Sequence, residues 1–324
     1  MQIRLLLPLL FAVAGPLRSQ EPAPGAKSTP PPVYDEAADA GADLRAALAV
    51  AKRDNKRVIL QWGANWCGWC KLLDARMKSD PTLSRKLLYE YEIVHVDIGR
   101  FDKNMDLAEK LGATLRDSGV PFLTVLDADG KPIANQETGG LEKEQDGKPG
   151  HNPAAVLAFL ERNQAPARPA APRLDGALAA AKASGRRVFL SFGAPWCGWC
   201  HKLEDTLARP EVAKPFGKDF VVIKLDVDRE PGAKELLQRY RGPVEGGIPW
   251  FAFLAADGEL LAHSGSGGEN LGCPYREDEV ARFGDLLETA ARHMSAADRA
   301  AVLAAFTANR VPVKKAVSAE EASS

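Results

Sequence analysis

Apolar and polar positions along this chain alternate between two periods. Leu44, Ala47, Leu48 and Ala51 share one face of a helix. Residues 57–62 then form a short run with the pattern of a partly buried strand. A Cys-containing motif follows and leads into a helix through Met77, and Asp80-Pro81 marks a new helix start with Pro at its first position. Residues 93–98 read as a second strand and 105–111 as a short helix. Residues 121–126 and 131–135 read as two strands joined around Asp129-Gly130, a hairpin signal. Asn152-Pro153 opens a last helix, and the same order recurs from Asp175 to Met294. Alternating helix and strand, closed by a hairpin and a helix, predicts an α/β architecture around a central sheet.

The recurrence is an internal duplication. Aligning 57–70 with 187–200, an offset of 130, gives identity at ten of fourteen positions. Leu48 and Lys52 pair with Leu178 and Lys182 upstream. Downstream the offset slips by one or two: Val96-Asp97 matches Leu225-Asp226, Val120-Pro121 matches Ile248-Pro249, and Asp129-Gly130 matches Asp257-Gly258. Composition sets the boundaries. Residues 20–34 read as a Pro/Ala-rich tail, 35–163 as a first domain, 164–173 as a semi-rigid Pro-containing linker, 174–295 as a second domain, and 296–324 as a C-terminal helix and disordered tail.

Residues 1–19 differ in character. A positive start, an apolar run of ten residues from Leu5 to Ala14, and the small-x-small Ala12-Val13-Ala14 read as a secretory signal peptide. The run is shorter than the roughly 20 residues that span a bilayer, so no membrane span is expected once the leader is cleaved. The expected location is therefore secreted or periplasmic. A formal net charge of −1 suggests neither a nucleic acid nor an anionic membrane as partner. Five cysteines in 324 residues are too few for a disulfide-stapled scaffold. Four form two Cys-x-x-Cys pairs, and Cys273 stands alone and reads as a spare thiol.

Disulfide exchange needs one accessible thiolate and a second thiol close behind it. Cys-x-x-Cys opening a helix supplies both. Unpaired N–H groups and the helix dipole favour a thiolate at the first Cys, and the second lies one turn inside to attack a mixed disulfide. Both pairs lie between an apolar strand and a helix. Cys67 and Cys197 are the candidate nucleophiles, and Cys70 and Cys200 the candidate resolving thiols. The alternatives are a structural disulfide and zinc. Zinc ribbons set their Cys pairs roughly 15–20 residues apart, whereas 126 residues separate Cys70 from Cys197.

Trp66-Cys67-Gly68-Trp69-Cys70 and Trp196-Cys197-Gly198-Trp199-Cys200 resemble the active-site motif of the thioredoxin family. The resemblance implies two tandem thioredoxin-like domains, each a central mixed sheet flanked by helices. It implies that Val120-Pro121 and Ile248-Pro249 occupy the family's cis-proline, substrate-binding position. It also implies no cofactor, since the cysteine pairs carry the electrons. Two departures stand out. Gly-Trp lies between the cysteines where thioredoxin has Gly-Pro, which leaves the direction of chemistry open. Gln61 and Ser191 occupy the place of thioredoxin's buried Asp. Asp74 and Glu204, four residues beyond each inner Cys, are candidates for a proton relay, with a solvated helix carboxylate as the alternative. Lys71 and His201, four residues after each outer Cys, are candidates for tuning its thiolate.

Trp69 and Trp199, at the motif's tip, are candidates for client contact. Trp66 and Trp196 are expected to pack against the domain, and His95, His151, His263 and His293 are read as incidental. The leading reading is a thiol-disulfide oxidoreductase whose partners are client proteins with thiols or disulfides and an upstream redox donor or acceptor. The competing reading is a client-binding, chaperone-like module with permanent disulfides.

Overall fold

The computed structural model describes residues 32–144, 147, 149–243 and 245–309. The expected leader, most of the expected N-terminal tail and the last fifteen residues lie outside that range. The first half runs α1 (Ala40–Asp54), β1 (Arg57–Gly63), α2 (Gly68–Ser79), α3 (Pro81–Glu90), β2 (Tyr91–Asp97), α4 (Met105–Lys110), α5 (Leu115–Ser118), β3 (Phe122–Leu126), β4 (Pro132–Glu137) and α6 (Pro153–Asn163). The second repeats it as α7 (Ala170–Ala183), β5 (Arg187–Gly193), α8 (Gly198–Ala208), α9 (Pro210–Asp219), β6 (Phe220–Asp226), α10 (Ala233–Arg241), β7 (Trp250–Leu254), β8 (Leu260–His263), α11 (Glu277–Ala290) and α12 (Ala296–Thr307).

Each half builds one four-stranded mixed sheet, ordered β2-β1-β3-β4 and β6-β5-β7-β8. The central strand β1 pairs parallel with β2 and antiparallel with β3, and β5 repeats this with β6 and β7. A strand covered on both faces reads as a continuous apolar run. Accordingly 58–63 and 188–193 are wholly buried. In the first half, Val58, Leu60 and Trp62 face α1 and α4, whereas Ile59 faces Leu73, Leu83 and Phe159 of α2, α3 and α6. Local chemistry fixes the helix ends. The Asp80 carboxylate accepts from Thr82 and Leu83 N–H to start α3, with Pro81 where no N–H is needed. Asn55 closes α1 in the left-handed conformation.

Three boundaries differ from the sequence expectation. Tyr34, assigned to the tail, is fully buried in the first domain. Residues 170–173, assigned to the linker, form the first turn of α7. The second domain also extends past 295: α12 has its own capping box at Ser295 and Asp298, and its Val302, Ala305 and Phe306 complete a core rich in Phe.

The halves meet through polar contacts, so 164–169 is more than a spacer. Arg229 is the hub. Its guanidinium pairs with Glu90 at 2.8 Å and donates to the Asp54 and Asn55 carbonyls at the end of α1, at 2.8 and 2.9 Å. A cation there answers the unpaired carbonyls and the helix dipole. Beside it the Tyr89 hydroxyl donates to Asp228 at 2.7 Å.

Candidate active site

The strand-to-helix corner after β1 places Cys67 at the N-cap of α2 with extended backbone, φ −81° and ψ 108°. Its sulfur is itself the cap, accepting the Cys70 N–H at 3.1 Å. Cys197 caps α8 in the same way, again at 3.1 Å. Each pair is joined as a disulfide, Cys67–Cys70 and Cys197–Cys200. The outer cysteines keep 5% of their surface exposed, the inner ones 0% and 2%. An outer sulfur that already receives an N–H at a helix start sits where a thiolate is stabilised.

The peptide bonds Val120-Pro121 and Ile248-Pro249 are cis. They bring the Val120 and Ile248 carbonyl oxygens within 3.6 Å of the outer sulfurs. Trp66 and Trp196 lie against the rim of their domains, Trp66 beside Phe101 and Arg100. They are 44% and 59% exposed, each held by its indole N–H, Trp66 by the Gly99 carbonyl at 2.6 Å and Trp196 by the Asp228 carboxylate at 2.9 Å. That carboxylate is also the one Tyr89 reaches from the first domain, and the Tyr and Trp hydrogen bonds outweigh burial and hold it ionised below its ordinary range. Trp69 meets His151 edge-on at 5.5 Å, and Trp199, 42% exposed, stacks on Tyr275 at 4.9 Å.

The space behind the inner cysteines differs between the halves. In the first, Asp74 is buried, and its two oxygens contact His95 Nε2 at 3.0 Å and Lys78 at 2.8 Å. Burial alone would raise its pKa; the hydrogen bonds from His95 and Lys78 prevail and lower it. The solvated alternative therefore does not describe Asp74, and His95 is not incidental. Tyr34 fills the rest, with its hydroxyl accepting the Gln61 amide at 3.1 Å and its ring edge-on to His95 at 5.6 Å. In the second half Glu204 pairs with Lys224 at 2.6 Å, and its other oxygen is buried without a partner. A methyl built on Gly193 meets Cys200 and the Lys224 stem here, where its counterpart on Gly63 meets the Tyr34 ring. Ser191, Glu204 and Lys224 instead line a cavity of about 460 Å³ that reaches Arg53 and Arg168.

Lys71 is exposed, and the His201 ring turns to the Pro195 carbonyl at 2.8 Å, so neither is drawn onto an outer sulfur. Cys273 is a buried free thiol pushed up by burial to about 12, which keeps it protonated. Among the described residues no group of three or more His, Cys, Asp or Glu is placed to hold a metal. Sequence reasoning passed over Tyr34, His95 and Lys224. The available signal was register: His95 lies opposite Gln61 and Lys224 opposite Ser191, at the two positions that lack the buried Asp.

Comparison with known proteins places these observations. A Thioredoxin-like family model matches twice, over residues 39–128 and 170–256. Protein disulfide-isomerase erp38 of Neurospora crassa is 26% identical over 193 residues, which is 57% of this chain and 47% of that protein. The chain thus spans about half the length of that relative. Thiol:disulfide interchange protein DsbD 1 of Pseudomonas aeruginosa is 40% identical over 57 residues, 18% of this chain and 10% of that protein. The crystal structure of a disulphide isomerase from Xylella fastidiosa is 34% identical and covers 34% of this chain and 83% of its own, with a TM-score of 0.32.

Proposed function

The chain belongs to the Thioredoxin-like family, matched once in each half, and on that premise we propose that it is a thiol-disulfide oxidoreductase that exchanges disulfides with client protein cysteines at two independent sites. The observation that carries this reading is the outer sulfur of each pair serving as the N-cap of its helix, 3.1 Å from the inner N–H. The same donor and the helix dipole favour the thiolate once the disulfide is reduced. Cys67 or Cys197 attacks a client disulfide, forming a mixed disulfide and releasing one client thiolate. Cys70 or Cys200 then attacks the outer sulfur, closing the protein's disulfide and releasing the second client thiol. Val120-Pro121 and Ile248-Pro249 flank the outer sulfur and present backbone to the client. Trp66, Trp196 and Trp199 offer exposed apolar surface beside it. Continued turnover requires a redox partner that recharges the pairs. A cleaved leader and a secreted or periplasmic location complete the proposal.

The test is reduction of insulin disulfides by dithiothreitol with and without the protein. Acceleration should fall roughly by half in Cys67→Ala or Cys197→Ala and vanish in the double variant. Cys70→Ala and Cys200→Ala should accumulate mixed disulfides with insulin chains. A double variant as active as the parent would refute the reading, and a parent without any acceleration would favour the binding module with permanent disulfides.

A further inference from the structure

The duplication allows each site to be compared with the other, and the largest difference lies behind the inner cysteine. Residues 33–39 cross the first domain as a strap. Asn65, two residues before Cys67, clasps it twice: Tyr34 N–H donates to Asn65 Oδ1 at 3.1 Å, and Asn65 Nδ2 donates to the Tyr34 carbonyl at 2.8 Å. The corresponding residue in the second domain is Pro195, which has no amide to offer. The clasp presses Tyr34, fully buried, against Cys67 and Cys70. Its hydroxyl and the Cys70 sulfur converge on one point: a methyl group built on Gly63 would lie 2.4 Å from the first and 2.7 Å from the second. The hydroxyl already accepts from Gln61, so its single proton is free to be donated, and no hydrogen bond donated by it is found among the described residues.

We propose that the Tyr34 hydroxyl donates a hydrogen bond to the Cys70 sulfur in the reduced first site and stabilises the thiolate that performs the resolving step. The proposal rests on the oxidoreductase reading. In that step Cys70 gives its proton to solvent, and its thiolate attacks the Cys67 sulfur of the Cys67–client mixed disulfide. The Cys67–Cys70 bond forms, the Cys67–client bond breaks, and the client sulfur leaves with the electron pair and takes up a proton. The two protein sulfurs are oxidised as a pair and the client disulfide is reduced. Burial keeps the phenol protonated through this cycle, so it remains a donor. The other titratable groups facing this space are Asp74, which pairs with both Lys78 and His95, and Asp97, which pairs with Lys103. At the second site no tyrosine takes this place among the described residues: the methyl built on Gly193 meets Cys200 and the Lys224 stem instead.

The test uses the full reduced chain and follows the Cβ chemical shifts of Cys70 and Cys200 against pH. Tyr34→Phe keeps the ring and removes the donor. A hydrogen bond to a charged sulfur predicts that the Cys70 titration moves up by about one pH unit, with resolution of a Cys67–client mixed disulfide slowed about threefold near neutrality, since the less stabilised thiolate is scarcer but more nucleophilic. Cys200 should not move. Asn65→Ala, which frees the strap and leaves the ring intact, should shift Cys70 in the same direction by less. An unchanged Cys70 titration in a protein that still exchanges client disulfides would overturn the proposal alone, as would an equal shift at Cys200. A parent chain that exchanges no client disulfide would overturn the proposal together with the reading beneath it.

Discussion

Gly63 and Gly193 occupy the same place in the repeat, at the end of the central strand and behind the inner cysteine, yet alanine should be tolerated at only one of them. At Gly63 the added Cβ would lie 2.4 Å from the Tyr34 hydroxyl oxygen, 2.7 Å from the Tyr34 ring carbon beside it, and 2.7 Å from the Cys70 sulfur. Ordinary contacts between heavy atoms are about 3.5–4.0 Å, so the overlap is about 1 Å on both sides. Tyr34 is fully buried and clasped by Asn65, and Cys70 is fixed in a helix and a disulfide. Neither can yield without moving backbone. At Gly193 the nearest atoms are Cys200 Cβ and Sγ at 3.1 and 3.2 Å, and a shift of a few tenths of an ångström relieves them. Overpacking a tight interior costs roughly 1–3 kcal/mol. Gly63→Ala belongs at the upper end, about 2–3 kcal/mol, and Gly193→Ala below about 1 kcal/mol. Pulse proteolysis in urea reads the two domains separately, through peptides from 57–97 and 187–226. The first domain should lose its protection at clearly lower urea in Gly63→Ala, and the second should barely change in Gly193→Ala. Equal losses, or a larger loss at Gly193, would refute the account of what fills each space.

Two further outcomes follow from buried charge. Because Asp74 is held below its ordinary value of 3.8, its contribution is complete above that value and is lost as pH falls through it toward the lower folded value. The urea midpoints of the parent and Asp74→Asn should therefore differ near neutrality and converge in acid; a gap that persists or widens in acid contradicts the pairing with His95 and Lys78. Arg229→Ala leaves Glu90 half-buried without its cation and uncaps α1, which should weaken domain association by about 3–5 kcal/mol, and proteolysis should then cut at 164–169 and leave two stable halves. Resistance there equal to the parent's would show that other contacts hold the interface.

The fold was largely legible in sequence because it is written twice. A strand read weakly at 57–62 is read again at 187–192, and the motif that follows fixes where each helix begins. The four cysteines were legible because their chemistry is local, with three residues of spacing at a helix start. What sequence concealed is nonlocal. Tyr34 sits in a stretch of Pro and Ala without period, and its partners Gln61, Asn65 and Cys70 are 27 to 36 residues away. His95 looks like one polar residue in a strand until register sets it opposite Gln61 and helix geometry turns Asp74 toward it. Trp66 and Trp196 were expected to pack against the domain; they do so only at its rim, each held by its indole N–H with much of the ring left in solvent. The interface is the least legible feature, since Arg229 and Glu90 stand 139 residues apart and nothing in either half foretells the meeting.

The central claim is that each half carries an independent redox pair whose outer cysteine reacts first. Brief reduction of the native protein, followed by rapid alkylation and peptide mass spectrometry, tests it most directly. Cys67 and Cys197 should be labelled within the first pulse at neutral pH, with Cys70 and Cys200 lagging, because the outer sulfurs are the helix caps and the inner ones are sealed. Slow labelling of all four cysteines that accelerates only in denaturant would instead mark both pairs as permanent disulfides and contradict the account.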